Sequence, residues 1–260
     1  MADLFEITGM SLKSAAKGTF KNPGPWLLIA LMTAIICYIE GILTGTWTDY
    51  GISIGSAPGI ILLIVAVLLT FIVAGPYVKT LLNKTPDFKN FGTTFKNGFL
   101  VTIIILIYWI VQLLLAAFLI YGVNTWGTAL TDPLQSIIYA VGIGIAWVIV
   151  VLLLMLVMVV ANPAGVLFAR TGKFSSAFNF AKLSDMIQAV SWGKCVLGTI
   201  LQTCVFAVLV AAILCIGLLV ALIPVVGDII AAIAMGLLIP FAIAFITYFC
   251  AHLFAEVKNE

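Results

Sequence analysis

Charge is scarce in this chain of 260 residues. Asp, Glu, Lys and Arg together make up 8% of it, against roughly 25% in an ordinary soluble domain. Histidine is nearly missing, since His252 stands alone. A single imidazole argues against HExxH zinc hydrolysis, paired axial histidine ligation of haem and histidine-rich metal transport. There is no GxSxG elbow, no Walker loop and no pair of aspartates at catalytic spacing inside an apolar run, so hydrolytic and nucleotide-driven chemistries lack their usual residues. Cys37, Cys195, Cys204, Cys215 and Cys250 lie in or beside apolar runs without CxxC spacing, as small buried hydrophobes do. A strongly basic stretch of the nucleic-acid-binding type is absent. The sequence therefore predicts no metal, no cofactor, no nucleic-acid partner and no enzyme.

What fills the chain instead is apolar: 64% of its residues are hydrophobic. A water-soluble fold of this size has too little interior to hide that much apolar surface, so lipid is part of the expected solvent. About 20 apolar residues span the hydrocarbon layer as a helix, and runs of that kind fall near 25–43, 58–80, 98–122, 134–164, 195–222 and 229–254. They are continuous rather than alternating, which favours helix over strand in lipid. The expected fold is all-α: one membrane domain over 1–260, a bundle of six transmembrane helices.

The twelve Lys and Arg residues supply the orientation. Lys13, Lys17 and Lys21 precede the first run. Lys79, Lys84, Lys89 and Lys96 lie between the second and third, Arg170, Lys173, Lys182 and Lys194 between the fourth and fifth, and Lys258 after the last. All fall on one side of a six-span plan. Cytoplasmic loops collect such residues, so the expectation is a multi-pass protein of the plasma membrane with both termini in the cytoplasm. The first 20 residues have no apolar core, so no cleaved signal peptide is predicted and the first span serves as the insertion signal.

Three segments before outgoing spans read as short cytoplasmic interfacial helices, near 10–21, 86–96 and 174–192. Each sets aromatic or aliphatic residues on one face with lysines on the other: Leu12, Ala16 and Phe20 with Lys13, Lys17 and Lys21; Phe88, Phe91 and Phe95 with Lys89 and Lys96; and in the third Phe174, Ala177, Phe178 and Ala181, with Phe180, Leu183, Ile187 and Val190 on a second stripe. Such a pattern suits helices in the plane of the interface, where Phe20, Lys21, Phe88, Phe91, Phe95, Lys96, Phe174 and Phe178 would contact lipid. FKNPGPW at 20–26, FKNF at 88–91 and FNFAK at 178–182 occupy equivalent places, as do VAGP at 73–76 and VANP at 160–163. The chain thus reads as three tandem helical hairpins. Pro76, Pro163 and Pro240 are expected to break or kink their helices. Asp132 is expected to cap the fourth span and Asp228 the sixth.

The segments SLKSAAKGTFKNPGPWLLIAL, AGPYVKTLLNKTPDFKNFGTTFKNGFLVTIIILIYWI and NPAGVLFARTGKFSSAFNFAKLSDMI resemble, in that order, the prokaryotic, mainly archaeal, membrane proteins grouped as domain of unknown function 4013. In that family the second span ends in a Gly-Tyr pair, where this chain has Gly75-Pro76-Tyr77. Pro86-Asp87-Phe88, Gly98 and Tyr108 are similar to the family pattern too. The resemblance implies a polytopic membrane protein and carries no catalytic residue, substrate or cofactor.

Glu40, in TAIICYIEGIL, is the one carboxylate embedded in an apolar run. A buried charge in lipid costs about 2.5 kcal/mol or more, so Glu40 is a candidate cation or proton contact. Its distance of about 21 Å along the helix from Trp26 also lets it reach water at the outer surface. Asp49, Asp132 and Asp228 place one acid near each outer loop and could form a cation-attracting ring. Gly142, Gly144, Ala231, Ala232, Ala234 and Gly236 favour close helix packing within the bundle or between copies, and Trp26, Trp47, Trp126 and Trp192 suit aromatic belts. Two functional readings follow. The first is a structural or accessory component that engages the bilayer, anionic headgroups or a membrane-protein partner through its cytoplasmic helices. The second is a small-solute or ion transporter or channel, its path built where the prolines free backbone carbonyls.

Overall fold

A computed structural model describes residues 3–21, 23–44, 52, 55–127, 133–220, 226–255 and 257. Helices and their connecting turns account for these residues, and no strand occurs among them. In chain order they are α1 (Leu4–Lys21), α2 (Pro23–Thr44), α3 (Ala57–Thr80), α4 (Phe91–Gly127), α5 (Pro133–Thr171), a 3-10 turn (Phe174–Phe178), α6 (Phe180–Val190), α7 (Trp192–Val220) and α8 (Val226–Leu253). Five helices are long and apolar enough to cross a membrane: α2, α3, α4, α5 and α8. A sixth crossing counts α7 together with α6, from which it is bent by 89°. At 37 and 39 residues, α4 and α5 are each more than 50 Å long at about 1.5 Å per residue, so they extend past a hydrocarbon layer of about 30 Å.

Local signals account for the helix ends. Ser56 caps α3, its hydroxyl accepting from the Gly59 N–H at 3.2 Å, with Pro58 in the first turn. Asn179 does the same for α6, accepting from the Lys182 N–H at 3.2 Å. Asn83 and Asn90 take the left-handed conformation at φ 57 and 62 and turn the chain between α3 and α4, a region asparagine tolerates better than most residues. Ser191, at φ 88, is the corner between α6 and α7.

Several expectations need correction. No helix starts near 86; residues 84–88 are irregular, and α4 runs unbroken from Phe91. The segment expected as an interfacial helix near 86–96 is thus half loop and half the first turns of a span, because the run from Phe91 onward has no residue that stops a helix. Pro76, Pro163 and Pro240 do not interrupt α3, α5 and α8. A proline removes one intrahelical bond, and all three lie buried, where neighbouring helices hold the backbone in place. Asp228 sits within the first turn of α8 rather than ahead of it. Asp49, Asp132 and Trp47 lie outside the described residues. Trp26 is a core residue at 5% exposure rather than part of an aromatic belt.

Burial is unevenly distributed along the helices. Val73 to Val78 of α3, Val166 to Phe168 of α5 and Phe245, Phe249 and Phe254 in and just after α8 are buried or nearly so. These stretches, the starts of α4 and α7 and the 3-10 turn pack into one cluster. Toward the opposite ends, described side chains such as Ile61, Ile64, Leu114, Phe118, Val148 and Leu152 are largely exposed. The ends that converge are those next to the lysines.

Small residues make the convergence possible. A Cβ on Gly98 would overlap the Phe71 carbonyl, and one on Gly75 would overlap the Thr94 carbonyl, so α3 and α4 touch backbone to backbone. Gly236 does the same for α8 against Ala30 and Ala34 of α2. A Cβ on Gly142 or Gly144 would meet nothing within 4 Å, so neither takes part in packing within this bundle. Gly98→Val should therefore lower stability in detergent by about 1–3 kcal/mol or more, read as an earlier thermal unfolding midpoint. Gly142→Val should leave the midpoint within a degree or two of wild type.

Candidate functional site at the lysine-bearing end

The C-terminal half of α8 is the part that the other elements meet. The Tyr77 phenol of α3 donates to the Pro240 carbonyl at 3.1 Å, and Thr80 and Thr247 join their hydroxyls at 2.5 Å. The Tyr248 phenol donates to the Lys84 carbonyl at 3.1 Å and so holds the loop between α3 and α4. Arg170, at the end of α5, donates to the Phe254 and Val257 carbonyls at 2.5 and 2.7 Å. These acceptors follow the last turn of α8, where carbonyls lack intrahelical partners. Ser14 of α1 lies 3.3 Å from His252 Nε2.

That last contact pairs a hydroxyl with the only imidazole, which no spacing in the sequence foretells across 238 positions. It sits half-buried in the α1–α8 seam, lines neither of the clefts described below, and has no carboxylate bonded to the ring among the described residues. It acts as a seam hydrogen bond.

Helix α1 divides into three faces at 100° per residue. Ile7, Ser11, Ala15 and Gly18 are buried, Gly18 beside the Tyr248 hydroxyl. Phe5 at 77%, Leu12 at 38% and Phe20 at 81% exposure occupy a second, apolar face. Lys13 and Lys17, both exposed, lie between the two on the remaining side. On α6, Leu183, Met186, Ile187 and Val190 turn inward while Phe180, Lys182 and Asp185 turn outward.

The other expected contact residues divide. Phe91 is exposed at 56%, and Lys96 is exposed. Phe88 and Phe95 are half-buried, Phe95 edge-on to Phe71 with ring centroids 6.1 Å apart. Phe174 and Phe178 pack against the core instead of facing outward; Phe178 stacks on Tyr108 at 5.7 Å, and the Tyr108 phenol donates to the Ala177 carbonyl at 2.6 Å. A fourfold aromatic spacing shows that residues share a face but not which way the face turns. Glu40 is exposed in the last turn of α2; the structure brings it together with none of the other expected site residues.

Two clefts open at this end. One, of about 620 Å³, is lined by Lys79, Leu82, Lys84, Asp87 and Asn97 among others. In it Lys79 and Asp87 form an ion pair, and the Lys89 N–H donates to Asp87 at 3.0 Å. The Lys79 ammonium, followed by the Lys89 backbone, holds the Asp87 carboxyl below the usual carboxylate range, against a smaller opposing effect of burial. The other cleft, of about 430 Å³, lies between the end of α5, the 3-10 turn and the start of α6.

Deeper in the bundle, Cys195, Thr199 and Gln202 lie buried on one face of α7. The Asn162 amide of α5 donates to Gln202 at 3.1 Å, a bond between helices. Thr70, Thr199 and Thr203 instead bond back to carbonyls of their own helices. The Gln112 amide lies 3.5 Å from the Leu153 carbonyl, and its oxygen is buried without a partner.

Long apolar helices, five or six of them able to cross a bilayer, fit a multi-pass membrane protein. The family model described as Protein of unknown function (DUF4013) matches residues 59–225, more than half of the sequence, and the chain belongs to that family. The match takes in α3 to α7. Among curated proteins and solved structures, none matches the chain.

Two outcomes test the polar contacts. Tyr77→Phe should cost about 1 kcal/mol of stability by deleting the bond to Pro240, measured by thermal unfolding in detergent. Asp87 has a folded-state pKa below its unfolded value, so its contribution is present above about pH 4 and is lost as pH falls through the lowered value. Both partners are about a third exposed, so the effect is small. Thermal midpoints of wild type and Asp87→Asn should differ at neutral pH and converge in acid.

Proposed function

We propose that this protein is a non-enzymatic structural or accessory component of the cytoplasmic membrane, anchored at its inner face by α1 and α6. The division of α1 carries the reading. One face packs on α8, the next exposes Phe5, Leu12 and Phe20, and the last presents Lys13 and Lys17. A helix lying in the interface plane, with apolar residues toward acyl chains and lysines toward headgroups, needs these surfaces side by side. On α6, exposed Phe180 and Lys182 repeat the pairing. Lysines confined to one end support cytoplasmic termini. Each one near an anionic surface adds about 1 kcal/mol of attraction, so the partner at this face is anionic lipid.

Transport has less support. The Pro240 carbonyl accepts from Tyr77, and no group of three metal-ligating side chains assembles among the described residues.

The test is lipid selectivity at the protein boundary, measured with spin-labelled lipids in vesicles of phosphatidylcholine and phosphatidylglycerol. Wild type should prefer phosphatidylglycerol, and Lys13→Gln with Lys17→Gln should weaken that preference by about fivefold per lysine. An unchanged preference would remove the proposal.

A further inference from the structure

We infer that the cleft of about 430 Å³ between α5, the 3-10 turn and α6 is a site for the phosphate headgroup of one anionic phospholipid. The inference rests on the interfacial reading above and goes further, since it assigns a stoichiometric site rather than a general affinity. Lys173 and Lys182 line the cleft together with Ser175 and Asn179. Neither lysine has a carboxylate within ion-pair distance among the described residues, in contrast to the neighbouring cleft, where Asp87 already engages Lys79. Two ammonium groups beside a hydroxyl and an amide are donors that a phosphate can accept from.

The framework of the cleft is built rather than incidental. Gly172, at φ 66, turns the chain at the end of α5. The Thr171 and Ser176 hydroxyls meet at 2.6 Å, the Lys173 N–H donates to Thr171 at 3.3 Å, and the Ser176 hydroxyl lies 2.6 Å from the Lys173 carbonyl. This network sets the backbone that carries Lys173. The Asn179 cap, through its bond to the Lys182 N–H, sets the backbone that carries Lys182. The Ser175 hydroxyl takes no part in the network and has no partner among the described residues.

Size and setting favour a lipid headgroup over a free ion. The volume falls within the roughly 300–1,000 Å³ of small-molecule sites, more than a bare phosphate fills. Phe180, 65% exposed, follows Asn179 directly, and Trp192, 48% exposed, stands at the start of α7. Tryptophan anchors at headgroup depth, and an exposed phenylalanine turns toward the acyl chains. The nearest acid in sequence, Asp185, is exposed one turn along α6 and lowers the local potential without occupying the cleft.

The test uses the full chain purified in a neutral detergent and titrated with dioctanoyl phosphatidylglycerol, with bound lipid counted by native mass spectrometry. Wild type should bind one such lipid ahead of any phosphatidylcholine. Lys173→Gln with Lys182→Gln should weaken that first binding by about 30-fold, while Lys84→Gln in the other cleft should change it less than threefold. Thermal unfolding of each variant verifies folding, and Ser175→Ala provides a milder change, with a loss of a fewfold expected. Excess inorganic phosphate should fail to displace the lipid. Undiminished binding by the double variant would overturn the assignment. So would displacement by inorganic phosphate, which would make the ligand a soluble phosphate. Because Lys13 and Lys17 lie on α1, a failed boundary preference there and a failed stoichiometric site here are separate results.

Discussion

The structure depends on the C-terminal half of α8. In lipid, helices gain little hydrophobic energy by meeting one another, because acyl chains are as apolar as leucine. Association has to come from close packing and hydrogen bonds. Alpha8 offers both: Gly236 admits the backbone of α2, and Phe245 and Phe249 are wholly buried. Pro240, Thr247, Tyr248 and His252 then make polar contacts to α3, to the loop after it and to α1, and Phe254 and Val257 beyond the helix make them to α5. Each bond contributes on the order of 1 kcal/mol or less, so it is their number that holds these elements to a single helix.

This arrangement explains why packing is dense at one end and sparse along the described remainder. Lysines need water or headgroups, and the backbone turns that carry them need hydrogen-bond partners. Both requirements are met where Asn83, Asn90, Gly172 and Ser191 reverse or bend the chain. Farther along, α3, α4 and α5 expose branched aliphatic side chains, which lipid accommodates without protein contact. The result is a densely packed, lysine-bearing end on an apolar stem whose described side chains are largely exposed. Two clefts lie within that end.

Much of this was legible beforehand, for physical reasons that differ from residue to residue. The expected spans near 25–43 and 58–80 match α2 and α3 within two residues at each end, because length and hydrophobicity are properties of the segment alone. Gly75 and Gly98 stood out only through a family resemblance; their reason, a backbone contact between α3 and α4, needed the second helix. The same limit applied to Phe20 and Phe178. Both are aromatic and both sit near lysines, yet Phe20 is 81% exposed while Phe178 stacks on Tyr108. Lys173 and Lys182 were visible as charges but not as the two walls of one cleft.

The amino-acid sequence by itself determined an all-helical, lipid-dissolved chain with its cations gathered at one set of helix ends, since apolar length and the cost of charge in hydrocarbon act on each segment independently. Which face of each helix turns inward, which prolines stay inside unbroken helices, and which side chains meet across α8 were decided only by the tertiary structure. Those outcomes depend on contacts between residues as distant as Ser14 and His252, and no local pattern encodes the shape of a partner that far along the chain.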